Sequence, residues 1–162
     1  MVKTEKKSLR AGRYVDNKHA DTLIRNYKQA RWTHNSERIG KEDSLSVWYS
    51  IEELEDFIQT CKAQGGDGIK FHFGAYPENY QDKPEYAGRQ TILLVATKSK
   101  LTKSGVVNKH IYKHSENGSQ ILAYNWGILC PPKCEMGSSN LSLNGNIGIT
   151  IVDRGDKGLA IV

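Results

Sequence analysis

The stretch Thr91-Ile92-Leu93-Leu94-Val95-Ala96-Thr97 places the strongest condition on the fold. It is nearly continuous in apolar residues and lacks the alternation of a half-solvated strand, so it reads as a central strand buried on both faces. Its nearest partner upstream is Gly68 to Gly74, a strand with Ile69, Phe71 and Phe73 on one face and Lys70 and His72 on the other. Between them lies a polar stretch, residues 75–90, with Pro77, Pro84 and three tyrosines. Two strands joined by so long a connection are most simply antiparallel neighbours.

The helices are read from spacing and caps. Ala20, Leu23, Ile24, Tyr27 and Ala30 form one apolar stripe, which predicts a helix from about Asp16 to Arg31, with Thr33 to Asp43 as a connector. Ser44 to Tyr49 alternates as a short strand. Ser50 and Glu53 then form a capping box, each side chain satisfying a backbone N–H of the first turn. Ile51, Leu54, Phe57, Ile58 and Cys61 supply the buried stripe of that helix, and Gly65-Gly66 the stop. Residues 98–105 read as a loop, Val106 to His114 as a strand, and Gly118 to Leu129 as either helix or strand. Ile147 to Val152 and Leu159 to Val162 read as two arms of a hairpin. Helices first and mostly strands after predict an α+β domain: an antiparallel sheet of about five to six strands with two main helices packed on one face.

A chain of 162 residues with 38% hydrophobic and 25% charged residues has the length and composition of one globular domain, which excludes collagen-like and wholly disordered chains. No apolar run reaches the roughly 20 residues that span a bilayer, so no membrane association is expected. Residues 1–41 hold 11 Lys and Arg against 4 Asp and Glu, whereas the whole chain carries a net +5. The expected organisation is therefore a flexible basic arm, residues 1–13, and a single domain over 14–162. No apolar stretch follows the basic N-terminus and the three cysteines are an odd set, so the expected location is cytoplasmic.

Three segments carry a resemblance. They are Ala123-Tyr124-Asn125-Trp126-Gly127-Ile128-Leu129-Cys130-Pro131-Pro132-Lys133-Cys134, the earlier Gly68-Ile69-Lys70-Phe71-His72-Phe73-Gly74-Ala75-Tyr76, and the tryptophan strand entering a capped helix at 48–61. Over about residues 44–134 the chain resembles small uncharacterised bacterial proteins with a late Cys-Pro-Pro-x-Cys motif. The resemblance implies one domain in a bacterial cytosol and carries over no functional residue.

Chemistry could sit in several places. His110-x-x-x-His114 and Cys130-x-x-x-Cys134 have the N and S composition of a zinc site. Yet Val106-Val107 and Ile111-Tyr112 favour extended backbone, which sets the two imidazoles about 13 Å apart. The plainer reading is a rigid proline turn with exposed histidines. Cys130 and Cys134 alternatively form a reactive or reversible thiol pair, since a thiolate needs a nearby cation and Lys133 lies between them. A ligand surface is expected on loops and strand ends from His72, Tyr76, Tyr80, Tyr86, Arg89, Tyr112 and Trp126, because long loops with aromatic residues and an arginine suit recognition. The basic N-terminal segment, with Lys98, Lys100, Lys103, Lys109 and Lys113 as a second patch, would attract nucleic acid, although no nucleic-acid-binding motif is present. No nucleophile elbow, metal helix or phosphate-cradling glycine loop occurs. These features favour a non-enzymatic binding or protein-interaction domain for an unknown protein or small-molecule ligand. The alternatives are a zinc or thiol-dependent protein centred on Cys130 and Cys134, and nucleic-acid binding through the basic N-terminus.

Overall fold

The structure, a computed structural model, describes residues 10–134, 151–153 and 159–161. Its class is α+β, with two helical stretches and antiparallel strands. The strands do not form one sheet of five to six. They are divided among a four-stranded sheet and three two-stranded ones. The described chain also separates into two compact units, the first built from residues 10–14, 50–72 and 93–125 and the second from residues 15–49, 73–92 and 126 onward. The segment 1–9 of the expected basic arm lies outside the described residues, as do residues 147–150, 154–158 and 162 of the expected C-terminal hairpin.

In the first unit, helix α3 (Ile51–Ala63) starts as its sequence requires. Ser50 Oγ accepts the Glu53 N–H, and Glu53 Oε2 accepts the Ser50 N–H at 2.8 Å. Phe57 and Cys61 are buried, and Phe57 stacks on Tyr124 with ring centroids 5.2 Å apart. Ile51 and Ile58 of the expected stripe are exposed instead. The central strand is β3 (Gln90–Thr102), which belongs to this unit from Leu93 on. It is flanked by β2 (Gly68–Ala75), of this unit as far as His72, on one edge and by β4 (Gly105–His110) and β7 (Ala123–Tyr124) on the other. Leu94, Val95, Ala96 and Thr97 are buried, as a doubly covered strand demands.

Beyond Thr97 the strand continues through residues expected to be a loop. It pairs with β4 from Thr97↔His110 to Thr102↔Gly105, because the cross-strand hydrogen bonds of a tight hairpin hold these polar residues extended. The expected strand 106–114 is interrupted at Ile111, whose N–H bonds to the Ala96 carbonyl, and resumes as β5 (Tyr112–Ser115) paired with β6 (Gly118–Ile121). The ambiguous segment 118–129 is extended throughout its regular parts. The apolar stripe of β2 is not core: Phe71 and Phe73 are 63% and 83% exposed.

In the second unit, α1 (Asn17–Tyr27), one π-helical turn (Lys28–Trp32) and α2 (Thr33–Ile39) form an unbroken helical stretch that ends where Gly40 adopts φ 69°. The expected connector 33–43 is thus mostly helix. No residue of this stretch is fully buried; Leu23 and Ala30 of its expected stripe face solvent. Polar bonds anchor it instead: Trp32 Nε1 donates to the Asp43 carbonyl at 2.7 Å, Ser36 Oγ accepts the Asp43 N–H, and Tyr27 Oη donates to Gln90 Oε1. Asp43 and Ser44 are buried; the Asp43 carboxylate accepts the Ser44 and Gln90 N–H groups, and Ser44 Oγ donates to the Gln90 carbonyl. Strand β1 (Ser46–Trp48) pairs with β8 (Ile128–Cys130) in antiparallel register, Val47 opposite Leu129. Strands β9 (Ile151–Asp153) and β10 (Leu159–Ile161) pair antiparallel, as the C-terminal hairpin pattern requires.

Candidate functional site

Residues 76–89 contain a single turn of 3₁₀ helix (Pro84–Tyr86), yet they build the core of the second unit. Tyr76, Tyr86 and Leu129 form a buried cluster with Val47 and Tyr80 packed against it. The Tyr76 ring stacks on Tyr80 at 4.6 Å and tilts against Tyr86 at 5.8 Å. The segment closes on itself through backbone bonds, the Tyr80 and Gly88 N–H groups both reaching the Pro77 carbonyl and the Tyr76 N–H reaching Arg89. Tyr86 Oη accepts the Leu129 N–H at 3.3 Å, which ties this loop to β8. Burial raises the Tyr76 phenol pKa above its usual value.

Cations surround this aromatic cluster. Lys83 Nζ stands 5.0 Å from the Tyr86 ring centre and 5.7 Å from that of Trp126, and Lys133 Nζ stands 5.9 Å from Tyr86. Such distances give a favourable ammonium–quadrupole attraction. Lys133 also forms an ion pair with Glu85 at 2.9 Å, which holds the Glu85 carboxyl below and the Lys133 ammonium above their ordinary pKa values. Arg89 is buried and donates from Nε to the Glu85 carbonyl; burial depresses its pKa, with Asp43 and Glu42 opposing. Its Nη1, like the hydroxyl of Tyr80, is buried with no hydrogen-bond partner among the described residues. Trp126 lies at the edge of the cluster, 57% exposed. Its backbone is held at φ 76°, a left-handed conformation that costs a non-glycine residue about 1–2 kcal/mol. Gly127 beside it fits only because it has no side chain, since a Cβ would lie 2.5 Å from Val47 Cγ1.

Of the seven residues expected to form a ligand surface, the structure gathers Tyr76, Tyr80, Tyr86, Arg89 and Trp126 in the second unit. Tyr76, Tyr86 and Arg89 are buried, so they support a surface more than they line it. His72 and Tyr112 belong to the first unit. The His72 ring meets His110 edge-on at 5.4 Å, and Tyr112 is exposed on β5. Lys83 and Lys133, which bring the charge, were not among the expected residues; the aromatic cluster gives lysines at these positions their role, and only folding shows it.

The expected zinc set is distributed differently. Cys130 and Cys134 are joined in a disulfide, so neither sulfur is a thiolate available to a metal. His110 faces His72, whereas His114 Nδ1 meets Ser119 Oγ at 2.7 Å. Among the described residues no three His, Cys, Asp or Glu side chains are arranged to hold a metal ion. Cys61 is free and buried, and burial raises its thiol pKa. No described helix is long and apolar enough to cross a membrane.

Comparison with known proteins gives no match, whether to a family model, to a curated protein or to a solved structure.

Proposed function

We propose that this chain is a non-enzymatic binding domain whose recognition surface is the face formed by Trp126, Lys83 and Lys133 over the tyrosine cluster, and that it takes an acidic segment of a partner protein. The observation that carries this reading is the Lys83 ammonium shared between the Tyr86 and Trp126 rings. Lys83 takes part in no ion pair among the described residues. Glu85 feels the Lys83 charge but is bonded to Lys133, so the exposed tryptophan beside the Lys83 ammonium is suited to a ligand that brings its own negative charge. The strained backbone of Trp126 accords with selection for where the indole points.

A short glutamate-rich peptide, titrated into the protein, should shift the indole N–H resonance of Trp126 and leave that of Trp32 in place. Trp126→Ala and Lys83→Gln should each weaken binding about tenfold, the scale of a recognition hot spot. An unmoved Trp126 resonance would refute the reading. So would turnover of a hydrolase or transferase substrate that a single His or Cys substitution abolishes.

A second reading rests on the disulfide. The loop it closes carries Lys133, the partner of Glu85, so a reversible thiol pair would sit directly beside the proposed surface. Alkylation after mild dithiothreitol treatment should label two more cysteines than alkylation of the untreated protein. If the label count is unchanged, the disulfide is structural. Stoichiometric zinc in the reduced protein would instead support the metal alternative.

A further inference from the structure

The hairpin formed by the outer half of β3 and by β4 stands apart in its chemistry. Every residue from Lys98 to Lys109 except Thr102 is exposed. The chain holds no Asp or Glu between Tyr86 and Ser115, and the hairpin carries Lys98, Lys100, Lys103 and Lys109. Register decides where these charges point, because residues directly opposite in an antiparallel pair share a face. Lys98 lies opposite Lys109 and Lys100 opposite Val107, so three ammonium groups stand on one face, with Lys103 in the turn. The other face carries Ser99 opposite Asn108, their side chains 3.2 Å apart, and Leu101 opposite Val106.

Like charges opposite each other in a sheet are destabilising. None of the four lysines takes part in an ion pair among the described residues. Lys98 has a local role as well, since its Nζ lies beside Gly65 at the end of α3, where a helix terminus favours a cation. Lys100, Lys103 and Lys109 have no such neighbour described. The Asp67 carboxylate at the base of the ribbon is taken up by the Ser99 N–H, so a partner that balances these lysines would be a separate anion able to reach several of them along a narrow ribbon.

From this charge pattern we propose that the β3–β4 ribbon is an arm that enters the major groove of double-stranded DNA. A two-stranded ribbon fits a groove about 12 Å wide. Five residues per strand give a length of about 17 Å, enough to follow half a helical turn past phosphates on both walls. The lysine face supplies the phosphate contacts. Leu101 and Val106, 74% and 68% exposed near the tip, supply apolar surface of the kind that packs on thymine methyl groups. This site is independent of the peptide-binding surface proposed above.

The test uses the full chain and a fluorescent mixed-sequence DNA duplex of about 20 base pairs, two helical turns. Binding measured by polarisation between about 50 and 200 mM salt should give a slope of log K against log salt of about −3 to −4, as three or four released counterions require. The combined variant Lys100→Thr, Lys103→Ser, Lys109→Thr should lose at least about tenfold in affinity and flatten that slope by up to about 3. The corresponding triple arginine variant keeps the charges and should bind as the parent does, which separates lost contacts from lost folding. An A-form RNA duplex, whose major groove is deep and narrow, should bind less well.

Failure of the parent chain to bind at the lowest salt would overturn the proposal. So would an unchanged affinity and slope in the neutral triple variant, since the lysines would then only keep the ribbon from pairing with other chains. Loss of binding in the arginine variant, or equal binding of the RNA duplex, would remove groove entry.

Discussion

Segment 76–89 and the β3–β4 ribbon reverse the usual relation between regular backbone and burial. The first has one turn of regular structure and a polar sequence, yet Tyr86 is 1% exposed and forms the centre of a core. The second is fully paired strand with Leu101, Val106 and Val107 in it, yet these side chains stand in solvent. Backbone hydrogen bonding and side-chain burial are therefore separate matters in this protein. The hairpin bonds satisfy the inward peptide groups of the ribbon, and side chains from outside it take up others, Asp67 accepting the Ser99 N–H and Lys70 donating to the Asn108 carbonyl, while the ribbon's own side chains stay exposed. In segment 76–89 the rings of Tyr76, Tyr80 and Tyr86 cover one another and Leu129, and backbone bonds to Pro77 and Arg89 replace a regular ladder.

The contrast can be broken most forcefully at Tyr86. Tyr86→Ala removes a fully buried ring and leaves the Leu129 N–H without its acceptor, so it should cost about 3–5 kcal/mol in chemical denaturation, as buried aromatic deletions do. A loss below about 1 kcal/mol would mean that the loop does not form a core.

Gly127→Ala tests the fit at the other end of that cluster. The new methyl would meet Val47 Cγ1 at 2.5 Å and the Tyr49 ring at 2.6 Å, and overpacking of this kind costs about 1–3 kcal/mol. Trp126→Gly should act in the opposite sense. It relieves the left-handed backbone, so stability should hold or rise by up to about 1 kcal/mol while binding of the acidic peptide weakens about tenfold, as in Trp126→Ala. Loss of both stability and binding would make Trp126 a structural residue.

On the ribbon side the expected effect is smallest. Leu101→Ser and Val106→Thr change exposed positions, and each should move stability by less than about 0.5 kcal/mol. A larger loss would show that something covers the ribbon.

The pH dependence of the first unit has its own marker in Glu53. The Ser50 N–H and then the Tyr124 hydroxyl hold its carboxyl below the ordinary 4.5. A pKa lowered on folding contributes stability that is present above the unfolded value and is lost as pH falls through the folded one. Glu53→Gln should therefore flatten the decline of Tm below about pH 4.5 relative to the parent chain. Parallel melting curves across that range would remove Glu53 from the acid response.

Of the ligand residues expected from sequence, five of the seven share the second unit, but the sequence did not reveal which would be buried. Aromatic residues in a polar stretch suggest recognition equally well whether they line a surface or fill a core. The cysteine pair was legible as a pair, whereas its disulfide depends on how the proline turn brings the two sulfurs together.

What the amino-acid order alone determined is local. The Ser50–Glu53 cap, the glycine stop after α3, the buried run of β3 and the pairing at the C-terminal hairpin each follow from residues a few positions apart, whose geometry one element fixes. Tertiary structure decided the rest. It extended β3 into a polar segment, divided the strands among several sheets, turned Phe71 and Phe73 outward and placed Lys83 between the Tyr86 ring of its own loop and the Trp126 ring of a distant segment. Each of these depends on which surfaces become neighbours, and burial is a property of neighbours, which local periodicity does not specify.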